Sequence, residues 1–71
     1  MADKYNPEVG EIWWFGPHKK HYLFYAKENP SEEYKSYTFK YKVYCIETGA
    51  KEYIFHGNMN AHGEGWFKKI Q

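Results

Sequence analysis

The sequence predicts a small all-β fold of five short antiparallel strands, with one 3₁₀ turn before the last strand. Two observations carry this reading. The chain has eight Tyr, five Phe and three Trp among 71 residues, whereas Val9, Ile12, Leu23, Val43, Ile46, Ile54 and Ile70 are its only Val, Ile and Leu. A core built mostly from rings suits pleated strands better than helices. The second observation is a strict alternation over residues 37–46. Tyr37, Phe39, Tyr41, Val43 and Cys45 share one face, while Thr38, Lys40, Lys42 and Tyr44 share the other. That is the pattern of an antiparallel strand with one buried and one wet face.

The elements follow in chain order. With 71 residues there is room for one domain and no second. Residues 1–9, with Asn6-Pro7, read as an extended lead-in to a domain at 10–71. Residues 11–15 form an aromatic, β-favouring run closed by Gly16-Pro17, giving strand one. A polar loop leads to strand two at 21–27. Residues 28–36 form the longest loop, with room for a helical turn starting at Ser31. Strand three covers 37–46, and Gly49 supplies the positive φ of a tight turn into strand four at 51–56. The glycine-rich stretch 57–65 suits a 3₁₀ turn, and 66–70 is strand five. Trp14, Phe39, Tyr41, Val43, Phe55 and Trp66 are the expected core.

A long connection after strand two, a tight hairpin between three and four, and a short turn before five together resemble a small SH3-like β-barrel. The resemblance covers residues 10–70 and is one of strand order and connection length. The acidic, tyrosine-rich first loop and late proline-tyrosine pair of peptide-binding SH3 domains are missing here, so polyproline binding is not implied. An OB-like barrel is the nearest alternative.

Composition excludes several classes. The ten basic residues are all lysine and face nine carboxylates, for a net charge of +1. This rules out a strongly basic nucleic-acid coat, and the absence of arginine removes the usual bidentate fork for phosphate or guanine. Cys45 is the sole cysteine and has no internal disulfide partner. The first residues are polar, and no apolar run approaches the roughly 20 residues that span a bilayer. The expectation is a cytoplasmic protein with no membrane partner. A skew toward Lys, Tyr, Asn, Phe and Ile resembles the coding of A/T-rich genomes such as those of many phages. By analogy it points to a small phage-type accessory or inhibitor protein.

The candidates for chemistry are sparse. His18 and His21 have a spacing a metal could use, but a structural zinc site draws on two such pairs, so no metal or cofactor is expected. Cys45 and His56 are the one conceivable nucleophile–base pair, yet Cys45 continues an apolar face and reads as a buried, inert thiol. Ser31 and Ser36 have no neighbouring histidine, and Glu32-Glu33 are adjacent on a loop, unlike two carboxylates held by separate rigid elements. Gly63-Glu64-Gly65 has no phosphate-loop context. The chain is therefore expected not to be an enzyme.

The surplus of rings is the informative feature. A barrel this small cannot enclose both faces of strands one and two, so Trp13, Tyr22, Tyr25, Tyr34 and Tyr44 are candidates for the surface. Trp13, Tyr22, Tyr25 and Tyr44 are the expected anchors of a contact site. Lys19, Lys20, Lys40 and Lys42 would supply steering charge. The expected partner is another protein or a second copy of the chain. The alternative is single-stranded nucleic acid, with bases stacked on rings beside lysines, Lys68 and Lys69 adding a further basic spot.

Overall fold

A computed structural model describes residues 4–29 and 39–71. The expected helical turn at Ser31, the start of strand three at Tyr37, and Tyr34, Ser36, Glu32 and Glu33 lie outside the described residues. The elements are β1 (Ile12–Phe15), β2 (Lys20–Glu28), β3 (Lys40–Cys45), β4 (Lys51–Phe55), α1 (His56–Asn60) and β5 (Phe67–Lys69). They build one antiparallel sheet in the order β4-β3-β2-β1-β5. Among the described residues β4 and β5 do not pair, so the sheet curls without closing.

Register decides which rings become core. Trp13 pairs with Tyr22, Tyr22 with Cys45, Phe24 with Val43, and Tyr41 with Ile54. Cross-strand partners share a face, so all of these point to the concave side, as does Phe67 opposite Phe15. Tyr41, Val43, Phe24, Cys45 and Met59 are sealed from solvent, and Trp13, Tyr22, Phe67 and Tyr5 nearly so. Edge-to-face contacts join them: Phe24 to Tyr41 at 5.2 Å, Trp13 to Phe24 at 6.4 Å and Tyr5 to Phe67 at 5.0 Å. Such pairs add directional stabilisation to their area burial.

The expected core is thus right for Tyr41 and Val43, and Phe39 packs half-buried against it. It needs correction elsewhere. Trp14 faces outward, half-buried against His21 at 4.7 Å, because Trp13 holds the inward position of β1. Phe55 is exposed because Ile54, opposite Tyr41, takes the inward place on β4. Trp66 is exposed too, and its ring stacks on His62 at 4.0 Å.

The connections hold two further differences. The segment before β5 begins as one turn of α-helix, not 3₁₀, although Ala61 N–H to Asn58 C=O (3.2 Å) and His62 N–H to Met59 C=O (3.4 Å) tighten its end in the 3₁₀ manner. This turn drives Met59 into the seam left open between β4 and β5 and buries His56. The described part of the lead-in is built into the fold. Tyr5 donates its hydroxyl to the Gly63 carbonyl (2.6 Å) and exchanges backbone bonds with the Asn60 amide (2.7 and 2.8 Å), and Pro7 is sealed beneath. Gly49 takes φ 77° in the β3–β4 turn, as the sequence suggested.

Candidate functional site

Between Phe24 and Ala26 the β2–β3 register slips by one residue, leaving Tyr25 as the extra residue of a β-bulge. Beyond it the facing of β2 reverses. Lys27 lies opposite Tyr41 with its ammonium 4.0 Å from the Phe39 ring centre, while Ala26 and Glu28 join the convex side opposite Lys42 and Lys40. On β4 the convex positions are Lys51, Tyr53 and Phe55, opposite Tyr44, Lys42 and Lys40. The convex surface of β2–β3–β4 therefore carries Tyr44, Tyr53 and Phe55, with Tyr25 beside Lys42, and these four rings are exposed by 37–59%.

Of the three lysines on this face, Lys40 and Lys42 are paired. Glu28 binds both, at 2.9 Å to Lys42 and 3.4 Å to Lys40. The Lys42 hydrogen bond draws the Glu28 carboxyl below its ordinary value, and the same contact raises Lys42. Lys40 also sits 4.5 Å from the Tyr53 ring centre. One carboxylate offsets part of the charge of these three lysines, and the rings stand beside them.

Of the eight residues expected to bind, Tyr25, Tyr44, Lys40 and Lys42 are brought together on this face. Trp13 and Tyr22 are not, and their expected exposure is corrected: they are 9% and 6% accessible, because their register turns them into the concave core. Lys19 and Lys20 lie at the β1–β2 turn, where Lys19 adopts φ 53°. Lys20 faces the concave side, lining an open groove of about 510 Å³ with His18, Tyr22, Cys45, Thr48, Ala50 and Glu52. Burial, then the carboxylates of Glu52 and Glu47, push the Tyr22 hydroxyl above its ordinary value. Sequence reasoning missed Tyr53 and Phe55. The hairpin around Gly49 would have revealed them, since pairing Val43 with Glu52 sends every second residue of β4 outward.

The chemical candidates fall apart in space. His18 packs its ring on Phe15 at 4.5 Å, whereas His21 binds Glu47 at 2.6 Å. Among the described residues no three His, Cys, Asp or Glu side chains converge. Cys45 is buried at the turn end of the β3–β4 hairpin and His56 at its opposite end, where the His56 N–H bonds the Phe39 carbonyl (2.9 Å). Among the described residues no helix is long and apolar enough to cross a membrane. No family model, curated protein or solved structure matches the chain.

Proposed function

We propose that this chain is a binding module without chemistry of its own, which contacts a protein through the convex face of β2–β3–β4. The observation that carries the reading is the co-facial exposure of Tyr25, Tyr44, Tyr53 and Phe55 beside lysines already paired with Glu28. Clustered exposed rings mark contact surfaces, and tyrosine offers large contact area at low entropic cost. The scaffold is read as an open SH3-like barrel. The strand order β4-β3-β2-β1-β5 and the helical turn between β4 and β5 support that topology. A reducing, cytoplasmic setting fits the free, buried thiol of Cys45. A phage-type accessory or inhibitor role rests on composition alone.

The test pairs two measurements on the full chain. Immobilised wild-type protein is expected to retain a partner from a lysate of its source, and Tyr25→Ser/Tyr44→Ser is expected to lose it while keeping the wild-type circular dichroism. Anisotropy with fluorescent single-stranded oligonucleotides is expected to show no binding at low salt. Binding that falls log-linearly with salt would instead establish the stacking-and-lysine reading.

A further inference from the structure

We propose that the chain pairs with a second copy of itself along β4, edge to edge and antiparallel, so that two sheets join across a two-fold axis. The inference goes beyond the convex-face contact and uses the sheet edge beside it.

The argument begins with the hydrogen bonds of β4. Cys45 N–H donates to the Ala50 carbonyl (2.8 Å), and His56 N–H donates to the Phe39 carbonyl (2.9 Å). Hydrogen-bonded pairs alternate along an antiparallel ladder, so Val43–Glu52 and Tyr41–Ile54 are the bonded pairs between these two. Glu52 and Ile54 therefore spend their backbone groups on β3. Lys51 and Tyr53 turn N–H and C=O the other way, and Phe55 its N–H, toward an edge that no described strand covers, while the Phe55 C=O begins α1. Such a row is a template for another strand. The second free edge, on the three residues of β5, is shorter and offers fewer outward groups.

The edge is complementary to itself. With the two-fold axis at Tyr53, that residue meets the partner's Tyr53, and Lys51 meets the partner's Phe55. Every outward-facing residue of β4 then has an outward-facing partner. A shift to either side leaves one unmatched on each strand, and in one direction it sets Glu52 against its own copy. In the matched register Glu52 faces Ile54 and no like charges oppose. Lys51 lies across from a ring, a contact the chain already makes between Lys40 and Tyr53. A net charge of +1 adds little repulsion between copies. The joined sheets would also carry the ring face of one copy into that of the next.

Sedimentation equilibrium from micromolar to millimolar concentration, with amide exchange read by NMR at both ends, tests the proposal. The expected result is a mass rising toward twice 8.6 kDa, with Tyr53 and Phe55 amides slowing only at high concentration while Glu52 and Ile54 amides are slow throughout. A mixed-label sample is expected to show an intermolecular contact between the Glu52 and Ile54 α-protons, the close approach of a non-bonded pair. Tyr53→Pro removes an outward N–H that β3 does not use and is expected to be monomeric. Phe55→Lys, which sets like charges across both ends of the seam, is expected to weaken pairing about tenfold. A monomer at millimolar concentration with fast Tyr53 and Phe55 amides overturns the proposal, as does a dimer untouched by both substitutions. Neither ring of Tyr25→Ser/Tyr44→Ser lies in the seam, so capture of a partner judges the contact reading separately.

Discussion

The Tyr41 hydroxyl lies 2.8 Å from Nδ1 of His56, inside the core where β3 meets the start of α1. Both residues are buried, and the Asn60 amide stands 3.3 Å from the other ring nitrogen of His56. The bond fixes the helical turn that carries Met59 into the seam between β4 and β5. Removing one partner of a buried polar pair costs the desolvation of the one left behind. Tyr41→Phe is therefore expected to destabilise the fold by about 1–3 kcal/mol in urea denaturation, although the ring itself is preserved. Unchanged stability would show that the contact contributes nothing.

Tyr5 closes the fold from the N-terminal side. Its hydroxyl donates to Gly63 and accepts from the Trp66 N–H at 3.2 Å, while its ring meets Trp13 and Phe67 edge-on. Tyr5→Phe is expected to cost about 1–2 kcal/mol. Removing residues 1–9 also strips the cover over the Trp13–Phe67 end, and is expected to leave a chain without a cooperative thermal transition. A truncated chain melting like the full one would mean that the lead-in is dispensable.

Phe24, facing inward on the interior strand β2, and Phe55, facing outward at the end of the edge strand β4, together test the register. Phe24 is 1% accessible, and Phe24→Ala is expected to cost about 3–5 kcal/mol, close to the whole stability of a domain this size. Phe55→Ala should cost less than about 1 kcal/mol, because its ring already meets solvent. Comparable losses at both positions in matched urea titrations would contradict the facing of β4.

The same pair shows how far the sequence could be read. Tyr41, Val43 and Cys45 were legible as core because β3 alternates rings with lysines, so one face alone could be buried. Ile12 to Phe15 is apolar on both faces, and nothing local distinguishes Trp13 from Trp14. That choice is made by pairing with Tyr22 and, through it, with Cys45. Phe55 was misplaced for the same reason. On the contact face, Tyr25, Tyr44, Lys40 and Lys42 were legible as ring-and-lysine positions. The Glu28 pairs were hidden by a bulge that reverses β2, and no residue type announces that bulge. Tyr5 stood behind Asn6-Pro7, a local signal of irregular chain, while its burial depends on Asn60 and Gly63, far along the sequence.

Glu11 gives the fold a defined acid limit. Its carboxylate accepts from Lys69 at 2.8 Å, from the Glu8 N–H at 2.8 Å and from the Trp13 indole at 3.1 Å. The Lys69 hydrogen bond, then the Glu8 N–H, lower its pKa from the ordinary 4.5 to about 2, against the opposing effect of burial. A carboxyl whose pKa is depressed by folding stabilises the native state fully above its unfolded value, and that contribution fades as pH falls through the folded value. The Glu11 contribution should therefore be whole above about pH 4.5 and vanish toward pH 2. Glu11→Gln is expected to lower the melting temperature at pH 6, with the two curves converging as acid is added across that window. An NMR titration of the Glu11 side chain should give a midpoint near 2. A midpoint in the ordinary carboxylate range, or melting curves that stay parallel down to pH 2, would show that Lys69 and the Glu8 N–H do not hold this carboxylate in solution.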